Sequence, residues 1–219
     1  MIEKLVIIGG GGHARELADV AVACASAGAK LELLGYVDDD PRLTGTMRNG
    51  FPVLGTTAWL RGAGHDVVAV CGIGSPSARR RVVERLPGVR FITLVHPASV
   101  ITQWVTMGAG AVITAGCVLT NSIVIGAHTH INRCSTVSHD SSIGEFVHVS
   151  PGCVLSGNVI IGDECDLGAG AILIPGVSVG PRTIVGAGAV VIRDLPPDVT
   201  AVGNPARVIK TRNAPVGGV

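Results

Sequence analysis

The most regular feature of the chain is an aliphatic residue at every sixth position from Val95 to Val191. Four residues after each of them stands a mostly small side chain, and a glycine often follows the aliphatic residue directly, as in Ile125-Gly126. A period of six matches neither an α-helix nor a series of antiparallel hairpins. It predicts a chain that bends sharply every six residues, with the aliphatic side chain pointing inward. Three such sides close a triangular coil, and successive coils stack as parallel strands about 4.8 Å apart.

Before this repeat, short apolar runs alternate with helical patterns. Apolar runs of the kind buried in a parallel sheet predict strands at residues 5–8, 31–37 and 67–71. A helix is predicted from residue 15 to about 27, and a second helix begins with Ser75 as N-cap and Pro76 as its first residue. Strand, glycine turn, helix and strand form a Rossmann-like βαβ unit.

The change of pattern predicts two domains and a tail. We expect an α/β domain at residues 1–94, a parallel β-helix of hexapeptide repeats at 95–196, and a C-terminal tail at 197–219. The tail should fold back over the last coil, with residues 213–219 frayed.

Composition supports this architecture and excludes several function classes. Hydrophobic residues make up 47% of the chain but aromatic residues only 3%, so that small aliphatic side chains and 31 glycines must do the packing. A net charge of +1 without a basic block argues against nucleic acid as a partner. We expect neither a membrane span, because no apolar run has the necessary length, nor a secretory signal, because residues 1–8 read as a strand. Six cysteines without a CxxC spacing favour reduced thiols and a cytoplasmic location.

The predicted β-helix is poor in charge. Its basic residues are Arg133, Arg182 and Arg193 alone. A wall with so few charges is expected to be covered in part by neighbouring copies, and this predicts a homo-oligomer.

A glycine-rich turn follows the first strand. Gly9, Gly11 and Ala14 match the pattern G-x-G-x-x-G/A, and Asp38 or Asp39 lies where an acidic residue would meet a ribose hydroxyl. NAD is one alternative, but a complete NAD site needs a second nucleotide-binding half, and fewer than 95 residues precede the repeat. A single nucleotide diphosphate, bound by backbone N–H groups at the helix start, fits better. That the glycines only make a tight turn stays open.

Several motifs in combination resemble the sialic acid and amino-sugar acetyltransferase family. They are the turn Gly12-His13-Ala14, the strand end Tyr36-Val37-Asp38-Asp39, the Gly74 turn, the pair His96-Pro97 and the hexapeptide repeat. The resemblance implies a left-handed coil, a homotrimer, acetyl-CoA as cosubstrate and N-acetylation of a nucleotide-linked amino sugar. It also implies a set of sugar-nucleotide-binding residues: Gly11, Gly12, His13, Asp38, Asp39 and Gly74.

The candidate base is His139, which is followed by Asp140. A carboxylate beside a neutral imidazole fixes its tautomer and stabilises the imidazolium, which makes a good base near pH 7. The family has a catalytic histidine followed by an acidic residue at this point of the repeat. Gly157 lies eighteen residues further on, and therefore about 5 Å away on the same edge of the coil. Its N–H group is a candidate donor to the thioester oxyanion.

Other residues are candidates for cofactor binding. The resemblance implies that His148 reaches a neighbouring subunit's His139 and touches the cofactor. Ala169 and Ala187 are eighteen residues apart, so their stacked small side chains would leave backbone groups open to the pantetheine arm, although packing alone also explains them. Asn132 is a weaker candidate.

Alternative functions use the same residues. O-acetylation of a sialic acid or a related sugar needs the same chemistry. A carbonic anhydrase-like trimer would bind zinc through His128, His130 and His148, but this leaves the N-terminal domain unexplained, and no metal is expected. A covalent route through Cys134 and a non-catalytic scaffold are further alternatives.

Overall fold

The computed structural model describes residues 2–211 and begins with a five-stranded α/β domain. Its elements in chain order are β1 (Glu3–Ile8), α1 (Gly12–Ser26), β2 (Leu31–Val37), β3 (Met47–Arg48), β4 (Phe51–Gly55), β5 (Val67–Cys71) and α2 (Pro76–Glu84), with 3₁₀ turns at Pro41–Leu43 and Thr57–Gly62. The strand order is β3-β4-β2-β1-β5, and only β3 is antiparallel to its neighbour. Among residues 2–211, no helix has the length and apolarity that crossing a bilayer requires.

The apolar runs of the sequence form the centre of this sheet. Strands β2 and β5 have the predicted bounds, whereas β1 begins two residues earlier and α1 begins at Gly12 rather than at residue 15. A Cβ atom on Gly72, directly after β5, would lie 2.6 Å from Ala14 of α1. Helix α1 therefore packs closely on the carboxyl ends of the central strands. The short edge strands β3 and β4 were not predicted.

The second domain is a stack of short parallel strands on three faces, which follow one another in each coil. Face 1 contains β6 (Leu94–Val95), β9 (Val112–Ile113), β12 (His130–Ile131), β15 (His148–Val149), β18 (Asp166–Leu167), β21 (Ile184–Val185) and β23 (Val199–Val202). Face 2 contains β7 (Val100–Ile101), β10 (Val118–Leu119), β13 (Thr136–Val137), β16 (Val154–Leu155), β19 (Ile172–Leu173) and β22 (Val190–Val191). Face 3 contains β8 (Val105–Met107), β11 (Ile123–Ile125), β14 (Ser142–Ile143), β17 (Ile160–Ile161) and β20 (Ser178–Val179).

Each coil advances by eighteen residues. His130 pairs with His148 on face 1, and Thr136 pairs with Val154 on face 2. The aliphatic residue at every sixth position points inward, and from Ile113 to Val191 these side chains are at most 2% exposed. The predicted β-helix is thus confirmed, with a core of stacked aliphatic side chains.

The bend between faces has a fixed backbone conformation. Every sixth residue from Gly110 to Gly188 has a positive φ; the others are Gly116, Ser122, His128, Cys134, Asp140, Phe146, Gly152, Asn158, Glu164, Gly170, Gly176 and Arg182. Glycine, asparagine and aspartate adopt this left-handed region most readily. These positions turn the chain through each corner.

The edge between faces 3 and 1 needs glycine for another reason. A column of glycines one coil apart, from Gly108 to Gly180, lines this edge, and a Cβ on any of them would meet the next coil. On Gly162, for example, it would lie 2.6 Å from the backbone nitrogen of Pro181.

The C-terminal segment covers the end of the stack. Strand β23 continues face 1, and β24 (Arg207–Thr211) pairs with it in an antiparallel direction. The N–H of Ala206 donates to the carbonyl of Val190 in the last coil (2.8 Å). The predicted fraying of residues 213–219 concerns residues outside the described part of the chain.

We predict that Gly162→Ala lowers the free energy of unfolding by about 1–3 kcal/mol, the usual cost of overpacking. The added methyl group must push the next coil away at Pro181. Urea unfolding followed by circular dichroism measures the loss. Gly62→Ala is the control, because a Cβ there meets no atom within 4 Å. Equal stability of the two variants would contradict close stacking at this edge.

Candidate active site

His139 and Asp140 form a pair at the edge between faces 2 and 3. His139 Nδ1 lies 2.8 Å from Asp140 Oδ2, and the side chains are 59% and 55% exposed. A carboxylate only accepts hydrogen bonds, so the proton belongs on Nδ1. Nε2 then carries a lone pair that is able to accept a proton.

Main-chain bonds to neighbouring coils hold the pair in place. The Asp140 N–H donates to the Asn121 carbonyl (3.0 Å), and the Asn158 N–H donates to the His139 carbonyl (2.9 Å). Asp140 is a corner residue with φ of 58°. The imidazole therefore projects from a backbone that the coils above and below fix.

Gly157 lies directly against the His139 ring, one coil further along. A Cβ atom on Gly157 would lie 2.7 Å from His139 Cε1 and 2.8 Å from Nε2. Within residues 2–211 the Gly157 N–H donates no hydrogen bond. Gly157 is buried, and a backbone donor without an acceptor beside the imidazole suits stabilisation of an oxyanion.

His148 lies on face 1 and meets the N-terminal domain of the same chain. Its ring is 5.4 Å from the His13 ring between centroids, and a Cβ on Gly74 would lie 4.0 Å from its Cε1. His13 Nε2 is 2.9 Å from His130 Nδ1. Two of the residues predicted to bind substrate, His13 and Gly74, thus come together with one predicted to bind the cofactor.

The buried histidines of this region are neutral near pH 7. Burial, and then the nearby Arg79 charge, lowers the pKa of His148 to about 3 and that of His128 to about 4. The same two causes lower the pKa of the fully buried His130 well below its ordinary value. His13 also has a lowered pKa, mainly because it is buried.

The glycine turn of the N-terminal domain leaves open space. A Cβ on Gly11 would meet no atom within 4 Å, and one on Gly12 would meet only the Arg15 side chain, at 3.9 Å. Helix α1 begins here without a side-chain cap. Backbone N–H groups at the start of a helix favour a phosphate group.

The two aspartates of the strand end have structural partners in this chain. Asp38 accepts from the N–H groups of Gly10 (2.7 Å) and Asp40 (2.8 Å). Asp39 Oδ1 accepts from the N–H and the hydroxyl of Thr57 (2.9 and 2.8 Å). Asp38 therefore shapes the glycine turn directly.

The other candidates lie away from His139. Ala169 and Ala187 stack on the edge between faces 1 and 2, where the Gly188 N–H donates to the Ala169 carbonyl (2.8 Å). Cys134 is on that edge too, and is exposed. Asn132 Nδ2 donates to the Val149 carbonyl (2.7 Å) and lies 3.3 Å from His148 Nε2.

The histidine group that the fold assembles differs from the one in the zinc alternative. His13, His130 and His148 have ligand atoms within 4.8 Å of one another. His128 instead stacks on Phe146. A hydrogen bond already joins His13 to His130, and the positive charge of Arg79 opposes a cation here. These contacts do not favour a zinc site.

Sequence reasoning gave one residue of this region no role in acetyl transfer and did not find another. His130 entered only through the zinc alternative, although its spacing of eighteen from His148 places the two side by side on face 1. Arg79 was missed altogether. It lies on α2 with no exposed surface and donates to carbonyls of both domains.

A Rossmann-like domain joined to a β-helix, with a histidine–carboxylate pair at the edge of the coil, defines a class of hexapeptide acyltransferases. Residues 4–86 match the family model of the PglD N-terminal domain. Residues 140–174 match the bacterial transferase hexapeptide model, and residues 158–193 match the hexapeptide repeat of succinyl-transferase. No curated protein matches the chain in sequence.

Solved structures extend the likeness over nearly the whole chain. One of them is a histidine-to-asparagine variant of perosamine N-acetyltransferase from Caulobacter crescentus, in complex with CoA and GDP-perosamine. Its sequence is 34% identical to this chain and its TM-score is 0.87. The match covers 96% of this chain and 98% of that structure's chain. The acetyltransferase domain of PglB from Neisseria gonorrhoeae, in complex with acetyl coenzyme A, is 35% identical with a TM-score of 0.87. The match covers 95% of this chain and 100% of that domain. WeeI from Acinetobacter baumannii is 30% identical with a TM-score of 0.85, and the match covers 94% of this chain and 100% of WeeI.

The chain therefore belongs to the family of nucleotide-amino-sugar acetyltransferases that combine a PglD-type N-terminal domain with a hexapeptide β-helix. The predicted family, the left-handed β-helix fold and the acetyltransferase activity are confirmed.

We predict that Gly157→Ala lowers kcat about 100-fold, because an added methyl group displaces the His139 ring and small misplacements of reacting groups have effects of this size. Steady-state acetyl transfer measures the change. Folding should match the wild type, since the clash is with an exposed side chain. Unchanged kcat would show that the His139 position does not matter to the reaction.

We predict that acid weakens the fold between pH 6.5 and 4. The pKa of His128 is about 4 in the folded chain, below its unfolded value, so the unfolded state binds more protons in this window and stability falls as pH falls. His128 alone should account for about 2 kcal/mol between pH 7 and pH 5.

Urea unfolding of the wild type and of His128→Asn at both pH values tests this. Asparagine adopts the positive φ of this corner and does not titrate. The variant should lose less stability on acidification. His65→Asn, at an exposed position, should keep the wild-type dependence. The same pH dependence in all three proteins would contradict the assignment.

Proposed function

We propose that this protein transfers the acetyl group of acetyl-CoA to the amino group of a nucleotide-linked amino sugar, with His139 as general base. The observation that carries the proposal is the His139–Asp140 pair, with the Gly157 backbone against the imidazole. Base and oxyanion donor lie side by side on one edge of the coil, as acyl transfer requires.

The reaction needs no covalent enzyme intermediate. His139 Nε2 accepts a proton from the sugar amine as the amine nitrogen attacks the thioester carbon. The Gly157 N–H donates to the oxyanion of the tetrahedral intermediate, and Asp140 stabilises the imidazolium. When the carbon–sulfur bond breaks, the imidazolium returns the proton to the sulfur of coenzyme A. Products are the acetamido sugar and free CoA.

The relatives support both substrates of this proposal. The Caulobacter crescentus enzyme has been solved with CoA and GDP-perosamine in histidine-to-asparagine and histidine-to-alanine variants, and the Neisseria gonorrhoeae domain with acetyl coenzyme A. The open space at Gly11 and Gly12 and the uncapped start of α1 support a diphosphate site in the N-terminal domain. His13 and Gly74 would then meet the sugar.

A homotrimer is part of the proposal. Face 2 presents a column of exposed apolar side chains, interrupted by Thr136 in one coil: Val100 (63% exposed), Val118 (37%), Val154 (40%) and Ile172 (38%). Such a row favours cover by another copy of the chain. In this assembly the partner subunit's His148 would face His139 across the cofactor, with Ala169 and Ala187 beside the pantetheine arm. Six free thiols support a cytoplasmic location.

We predict that His139→Asn lowers kcat by at least 100-fold, the usual contribution of a general base. Asp140→Asn should also lower kcat, because an amide stabilises the imidazolium less than a carboxylate does. His65→Asn is the control, since that side chain is exposed on the N-terminal domain. The assay follows CoA release with a panel of nucleotide-linked amino sugars.

Product analysis by NMR then separates the two acceptor chemistries. An amide carbonyl in the product supports the proposal, and an ester would establish O-acetylation instead. Full activity of His139→Asn would remove the assigned base.

A further inference from the structure

The side chain of Arg79 is enclosed where the two domains meet. It has no exposed surface and belongs to helix α2. Each of its five N–H groups donates to a different backbone carbonyl: Nε to His128 (2.8 Å), Nη1 to Ile73 (2.7 Å) and Gly74 (3.0 Å), and Nη2 to Phe146 (2.9 Å) and Val147 (3.0 Å). The guanidinium is thus fully satisfied.

The five carbonyls come from three separate pieces of chain. Ile73 and Gly74 follow β5 at the carboxyl end of the N-terminal sheet. His128 and Phe146 occupy the same corner in two successive coils, since they are eighteen residues apart. One planar group therefore joins the substrate-facing turn of the first domain to two coils of the second. A lysine, with three donors on one nitrogen, does not reproduce this fork.

The residues attached to Arg79 belong to both halves of the proposed active site. Gly74, whose carbonyl accepts from Arg79, lies beside His148, and Val147, whose carbonyl also accepts, directly precedes His148. The His13–His130 hydrogen bond lies in the same domain contact. Arg79 thus fixes the distance between the turn expected to bind the sugar and the strand expected to face the acetyl donor.

We propose that Arg79 is a positioning residue for acetyl transfer, which holds the nucleotide-binding domain on the β-helix in the orientation that brings sugar amine and thioester together. This inference rests on the proposed function. Each substrate site is built mainly within one domain, so each substrate still binds when the domains shift. The bond-forming step depends on both domains and is slowed.

A conservative variant with a matched control tests whether Arg79 affects the bond-forming step without affecting substrate binding. Arg79→Lys keeps the charge but loses the fork of donors. Arg80→Lys changes the next residue of the same helix, whose Nη1 also reaches across the domains, to Glu164 Oε1 (2.8 Å), but whose side chain is 38% exposed. Steady-state kinetics give kcat, and calorimetry gives the Kd of CoA and of the nucleotide sugar for each variant.

We expect kcat of Arg79→Lys to fall about tenfold or more, the effect of imperfect orientation, while both Kd values stay within about threefold of the wild type. Arg80→Lys should stay within about twofold in all three quantities, because lysine keeps the charge that pairs with Glu164 and a partly exposed ion pair contributes little. Unchanged kcat in Arg79→Lys, or weakened binding that accounts for its lower activity, would overturn the proposal.

Arg79→Gln, which keeps a planar amide with two donors, is prepared in parallel. A variant that folds, as judged by circular dichroism, tests the positioning role by the same comparison of kcat with the two Kd values. If neither folds, Arg79 maintains the fold rather than the reaction geometry, and the positioning role is rejected. A wild-type protein that acetylates no nucleotide-linked amino sugar would instead refute the proposed function itself.

Discussion

Hydrogen bonding between coils that are eighteen residues apart is the constraint on which this molecule depends. Each strand pairs with the strand one coil before and one coil after, so a residue's neighbours in space follow from its number. This register buries the aliphatic side chains, brings Gly157 to His139, and places His130 beside His148. A shift of one residue would turn the aliphatic side chains outward. The stability of the core and the geometry of the candidate site therefore have one physical origin.

The contact between the domains has a different character, because it is polar and buried. Burial lowers the pKa of Arg79 to about 10, so the guanidinium still carries its charge at neutral pH, and backbone carbonyls of both domains solvate it. The same charge acts on the nearby histidines and, together with burial, favours their neutral form. Packing and electrostatics in this region thus both favour neutral histidines beside a charged Arg79.

Much of the molecule could be predicted from the sequence, because the hexapeptide period is local and is repeated many times. It predicted the β-helix, the stacking of Gly157 on His139 and the outward direction of His139. The edge strands β3 and β4 were missed, since each is short and lacks a long apolar run. Arg79 was missed because its partners in the β-helix lie 49 to 68 residues away along the chain, and no local pattern indicates a contact between domains. The contact of His13 with His130 spans 117 residues and is invisible for the same reason.

The left-handed backbone at each corner limits which residue may follow the candidate base. Asp140 occupies such a corner, where aspartate is tolerated and β-branched side chains are strongly disfavoured. Glutamate stands at such a corner elsewhere in the chain, as Glu164, but in place of Asp140 it would carry its carboxylate one bond further from the ring. Aspartate at this position therefore meets two requirements at once, the proton chemistry of the imidazole and the left-handed shape of the turn.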